Sequence, residues 1–142
     1  MKKLLLIVLS LTFLSGVTQA QEVGIRFGDT VGNDVAIDGV FGWKGGRIHA
    51  DVSFGGGMGV EAIYDFLYGR LGQEAFNYYI GLGAFTWLGN PFQLGVSSEL
   101  GIEYHFAGFP LALGLDWRPS LRIIDDTNFT VSRFGLNIRF VF

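Results

Sequence analysis

The chain predicts an all-β fold: an eight-stranded, antiparallel, closed transmembrane β-barrel. Three observations carry this. Residues 133–142 read R-F-G-L-N-I-R-F-V-F, with Phe134, Leu136, Ile138, Phe140 and Phe142 on one parity and Arg133, Gly135, Asn137, Arg139 and Val141 on the other, the period of a strand whose two faces meet different surroundings. Seven further strand-length segments precede it, most of them alternating in the same way. No run of about 20 apolar residues follows residue 20, so a helical span is not expected. In water, an edge strand carrying three exposed phenylalanines would invite aggregation. In a closed barrel surrounded by lipid it has no free edge and an apolar solvent.

Residues 1–20 are set apart as a secretory signal peptide. Lys2 and Lys3 precede the apolar run Leu4 to Leu14, and Thr18-Gln19-Ala20 offers small residues at a cleavage site. The remaining 21–142 form one domain. Without Lys2 and Lys3, eight of the 10 basic residues remain against 13 acidic ones, a formal charge of −5. No basic footprint for nucleic acid is present. With no cysteine, disulfides, thiolate chemistry and lipoprotein attachment are excluded.

The first strand is expected over Glu22 to Gly28, with Val23, Ile25 and Phe27 outward. After a turn-rich link, Val35 to Trp43 places Ile37, Phe41 and Trp43 opposite Asp38. Lys44-Gly45-Gly46 turns the chain. Arg47 to Phe54 alternates Ile48, Ala50, Val52 and Phe54 with Arg47, His49, Asp51 and Ser53. Gly55 to Gly59 lacks the Lys-Ser or Lys-Thr of a phosphate-binding loop and reads as a turn. The fourth strand, Val60 to Tyr68, turns Tyr64, Phe66 and Tyr68 outward and Glu61, Ile63, Asp65 and Leu67 inward. Gly69 to Ala75 is the link where a helical turn is expected.

Phe76 to Leu88 is apolar on both faces, so Tyr79, Phe85 and Trp87 are assigned to the lumen beside Gly81 and Gly83, which leave room for rings. Gly89-Asn90-Pro91 reverses direction. Phe92 to Phe106 sets Leu94, Val96, Leu100, Ile102 and Tyr104 against Glu99, Gly101, Glu103 and His105. Leu111 to Pro119 sets Leu113, Leu115 and Trp117 against Gly114, Asp116 and Arg118. Ser120 to Asn128 is read as a longer polar connection before the closing strand. An even count puts both termini at one end.

These segments resemble small bacterial outer-membrane β-barrel proteins. The export segment and the closing strand Phe134 to Phe142, with its final Phe, carry the likeness. Tyr78 to Ala84, Leu100 to Tyr104 and Pro110 to Pro119 are similar to a group of short barrels of Bacteroidetes-type bacteria. The resemblance implies a monomer in the outer membrane, among lipid and lipopolysaccharide, recognised by the barrel-assembly machinery through Phe142. It implies no reaction.

The inward parity gathers the chemistry: Arg26, Asp38, Asp51, Glu61, Glu99, Glu103, His105, Asp116, Arg118 and Arg139, with Arg47, His49, Asp65 and Arg133. Charges of both signs in a narrow barrel read as a salt-bridged plug. Arg26 and Arg139 are expected to pair with Glu99 and Glu103. Glu103, His105 and Asp116 could form a small network, and a His-carboxylate metal site there is the weaker reading. No catalytic, cofactor-binding or metal residues are assigned. Two alternatives stand beside this reading. A lipid-modifying acyl hydrolase or acyltransferase would need a Ser–His pair that linear spacing does not supply: His49 and Ser53 lie on one strand face, several residues apart. A soluble lipocalin-like barrel would reverse the faces and line a cavity with Phe, Leu and Ile.

Overall fold

Alternation of apolar and polar side chains yields strands throughout the computed structural model, which describes residues 21–72 and 75–142. The expected signal peptide lies outside the described residues. Ten strands occur, and none of the described residues is helical: β1 (Glu22–Gly28), β2 (Val35–Trp43), β3 (Gly46–Phe54), β4 (Met58–Arg70), β5 (Phe76–Leu88), β6 (Gln93–His105), β7 (Leu111–Trp117), β8 (Ser120–Ile124), β9 (Asn128–Thr130) and β10 (Phe134–Val141). From β1 to β7 each strand pairs antiparallel with the next, β7 pairs with β10, and β10 pairs with β1. These eight strands close the barrel. Closure runs in the register Ile25↔Ile138 and Arg26↔Asn137. Phe142 N donates to Gln21 O at 2.9 Å, tying the segment before β1 to the residue after β10.

The two extra strands correct the expectation for Ser120 to Asn128. This stretch is mostly sheet: β8 pairs with the far half of β6 in the register Ser97↔Ser120, and with β9 in the register Leu121↔Phe129. Only Asp125 to Thr127 separates β8 from β9. Asp125 and Asp126 have φ of 64° and 73°, consecutive left-handed residues that reverse the chain in a short turn. β8 and β9 therefore prolong the walls begun by β7 and β10. The interruption falls at Arg118-Pro119, where proline has no N–H for the ladder. Pro119 O still accepts from Ser98 N at 3.0 Å, and Arg118 N donates to Arg133 O at 2.8 Å.

A second correction concerns β4. The strand carries an extra residue between Asp65 and Leu67, after which Leu67 opposes Ile80 and Tyr68 opposes Tyr79. Such a bulge shifts the parity of everything beyond it. Leu67 consequently faces outward and Tyr68 turns toward the lumen mouth, the reverse of strict alternation. The expected helical turn in the next link is absent from its described residues; β4 extends to Arg70, and Leu71 N donates to Phe76 O at 2.8 Å.

Burial settles which parity faces in. Val23, Ile25, Phe27, Ile37, Leu82, Val96, Leu115 and Ile138 are exposed, while Arg26, Asp38, Glu99, Asn137 and Arg139 are buried. This is the opposite of a lipocalin-like arrangement. Glycine makes the crowded interior possible: a Cβ at Gly101 would lie 2.1 Å from the Tyr79 ring, and one at Gly135 would lie 2.4 Å from the Arg26 guanidinium carbon.

Candidate functional site in the barrel lumen

Inward-pointing charges arrive from every wall of the barrel except β5, which contributes Tyr79, Phe85 and glycines. Near the end where Gln21 and Phe142 lie, Arg139 Nη1 donates to Glu22 Oε2 at 3.0 Å, and its guanidinium also lies 3.2 Å from Asp38 and 3.4 Å from Glu103. Arg47 donates to Asp65 Oδ2 and Glu103 Oε1, both at 2.8 Å. The Arg47 guanidinium is sandwiched by Tyr68 and Tyr79, 4.3 and 4.5 Å from their ring centres, a favourable placement for a planar cation. His105 Nε2 lies 3.1 Å from Glu103 Oε1 and 3.4 Å from Glu22 Oε1, at a partly open mouth.

In the middle, Arg26 Nη2 donates to Asp116 Oδ1 at 2.6 Å and its Nη1 donates to Asp29 O at 2.7 Å. Asn137 Nδ2 donates to the other Asp116 oxygen at 2.8 Å. His49 stands between two carboxylates: its Nε2 contacts Asp38 Oδ1, and its Nδ1 lies 2.8 Å from Glu99 Oε1.

Toward the far end, Arg118 is the hub. It contacts Asp51, and lies 2.9 Å from Glu61, 3.0 Å from Glu99 and 3.4 Å from Asp116. Arg133 makes a two-point contact with Glu61 at 3.0 and 3.1 Å, the geometry in which guanidinium and carboxylate bind best. Ser97 Oγ donates to the same Glu61 at 2.5 Å. Beyond this layer, a cleft of about 220 Å³ opens among Asp29, Gln93, Arg122, Asn128 and Arg133.

The structure thus brings Arg26, Asp38, Asp51, Glu61, Glu99, Glu103, His105, Asp116, Arg118 and Arg139 into one interior network, but with partners other than those expected. Arg26 pairs with Asp116, not with Glu99 or Glu103. Arg139 does reach Glu103 but lies closer to Glu22 and Asp38. Glu99 belongs to His49 and Arg118. His105 keeps Glu103, while Asp116 is held elsewhere by Arg26 and Asn137. Relative strand stagger sets these choices, because it decides which inward residues share a level. Glu22 was missed although it shares the parity of Gly24 and Arg26. Tyr68 was missed because the bulge has no clear mark in the sequence.

The same geometry bears on nucleophilic chemistry. Ser53 Oγ donates to Val31 O at 2.9 Å and accepts from Asn33 Nδ2 at 3.1 Å, which fastens the 29–34 link to the wall. The hydrogen-bond partners of His49 and His105 are carboxylates and Arg118. Among the described residues, neither histidine has a serine hydroxyl as partner, and a Ser–His pair at about 3 Å is what acyl transfer needs. Comparison with protein-family models, curated proteins and solved structures found no match to this chain.

Proposed function

We propose that this protein is a bacterial outer-membrane barrel with a structural or interaction role, its lumen sealed by paired charges. One observation carries the membrane reading. The outer surface bears an aromatic girdle of Trp43, Phe76, Tyr104, Phe106, Phe140 and Phe142 at the end where Glu22 lies, and further outward rings, Phe27, Phe54, Phe92, Trp117 and Phe134, spread over the other half of the wall. The other outward residues of the described strands are Ile, Val, Leu, Ala and a few more aromatics, glycines and hydroxyls, without a charge. An apolar band about 25 Å tall between aromatic girdles is how a β-barrel matches a bilayer. Water would gain nothing from such a surface, whereas lipid is its natural solvent.

The signal-peptide pattern of residues 1–20 supports export, and both termini then face the periplasm with Phe142 presented to the assembly machinery. The interior supports a sealed lumen: Arg26, Arg118, Arg139 and Tyr79 are wholly buried, each within a barrel narrow enough for side chains to fill. The test is biochemical. The mature protein should partition into detergent and migrate as a compact species on gels unless boiled. In planar bilayers it should insert without sustained conductance steps. Recovery as a monodisperse protein in plain buffer would overturn the membrane reading; stable porin-like conductance would overturn the sealed lumen.

A further inference from the structure

The lumen network does not balance. Its buried members include eight carboxylates, Glu22, Asp38, Asp51, Glu61, Asp65, Glu99, Glu103 and Asp116, against five guanidiniums, Arg26, Arg47, Arg118, Arg133 and Arg139, and the His49 imidazole, which leaves two carboxylates over even when it is counted as a cation. Buried negative charge in excess must be met by protons or by a bound cation. The question is where a cation would sit.

We propose that a divalent transition-metal ion binds in the middle of the barrel, held by His49, Asp65 and Glu99. Asp65 on β4, Gly81 on β5 and Glu99 on β6 are successive register partners, so they stand at one level across three adjacent strands. Gly81 has no side chain, and a Cβ there would come within 2.5 Å of Asp65 Oδ1. The two carboxyl groups therefore converge over a slot that any other residue at position 81 would fill. His49 reaches the same place from β3, and one ligand atom from each of the three residues lies within 4.8 Å of the others. A tetrahedral ion with metal–ligand distances of about 2.0–2.1 Å has its ligands roughly 3.4 Å apart, so the side chains need close by no more than about 1.5 Å.

An independent sign is the state of the oxygens. Asp65 and Glu99 are both wholly buried, yet Asp65 Oδ1 and Glu99 Oε2 have no hydrogen-bond donor. Buried carboxylate oxygens are rarely left so. Their partner oxygens are already used, Asp65 Oδ2 by Arg47 and Glu99 Oε1 by Arg118. Arg118 does not neutralise Glu99 alone, because it is shared with Asp51, Glu61 and Asp116. The surroundings of His49 fit as well. Its Nε2 faces Asp38, and a carboxylate on the far nitrogen is the usual support for a metal-binding imidazole. That leaves Nδ1, directed at Glu99, as the ligand atom. One imidazole nitrogen with two carboxylates suits zinc or manganese, and water would complete the shell.

The inference concerns the interior and holds whether the outer face meets lipid or water. Its test uses the mature chain, folded in detergent and stripped by a chelator, or in plain buffer should it prove soluble. His105→Gln serves as the background, removing the Glu22–Glu103–His105 cluster at the mouth. Zn²⁺ titration by calorimetry should give one ion per chain in that background. Adding His49→Gln or Asp65→Asn should each weaken binding at least tenfold, and Asp38→Asn about 10- to 100-fold. Pulsed electron paramagnetic resonance of Cu²⁺ bound to the folded His105→Gln protein should show a single imidazole, a readout that survives if the other variants fail to fold. The proposal is overturned if Zn²⁺ binds the folded protein with Kd above about 1 mM, if His105→Gln abolishes binding, or if no imidazole signal appears.

Discussion

Replacing Arg118 by Met tests the reasoning about the lumen most directly. Arg118 is wholly buried and faces four carboxylates. A single pair 3.0 Å apart would attract by roughly 5–6 kcal/mol at an effective dielectric constant of 20, so a naive sum would be several times larger. The neighbours reduce it. Glu61 keeps Arg133, Asp116 keeps Arg26, and Glu99 keeps His49. Asp51 has no other salt bridge among the described residues. The loss is therefore that of stranding one buried charge, about 3–5 kcal/mol. Acid supplies protons that replace the missing positive charge, so the deficit should be greatest at neutral pH and narrow as the pH falls. Urea unfolding in detergent, followed by tryptophan fluorescence, gives the difference. Adding Asp51→Asn to the variant should restore a large part of it, because the stranded charge is then gone. A deficit below about 1 kcal/mol at neutral pH, or no recovery in the double variant, would refute the view that Arg118 is the hub.

Three other perturbations probe the wall. Ile37→Arg places a charge in the middle of the outer band, where Ile37 is 58% exposed; folding into lipid vesicles should become less favourable by about 2–4 kcal/mol, and a change within about 0.5 kcal/mol, as for an ordinary wet surface, would argue against lipid contact. Gly101→Ala drives a methyl group into the Tyr79 ring, and thermal unfolding should report a loss of about 1–3 kcal/mol from overpacking. Asp126→Gly relieves a left-handed residue in the β8–β9 turn and should stabilise the fold by up to about 1 kcal/mol, measured by the same unfolding curves.

Strand identity and the division of each strand into two faces were legible in the sequence because a period of two is local: Phe134, Leu136 and Ile138 share one side of β10 without reference to any other strand, while which side is buried was left to the closed structure. The set of inward charges followed from the same parity, and so did closure, since an apolar β10 needs a partner on both edges. What the alternation could not carry was anything that depends on two strands at once. The extra residue between Asp65 and Leu67 exchanges the roles of Leu67 and Tyr68, and a bulge is fixed by the partner ladder, not by the bulged sequence alone. The continuation of the wall through β8 and β9 depends on the register Ser97↔Ser120, which offers β8 a neighbour that a polar-looking Ser120 to Asn128 does not advertise. Pairing in the lumen has the same origin. Arg26 meets Asp116, 90 residues away, and Asp65, Gly81 and Glu99 share a level, because hydrogen-bonded stagger across the barrel sets their heights. Each strand's own sequence determines which side chains share a face, and only the closed sheet decides which face is buried and which of its residues meet.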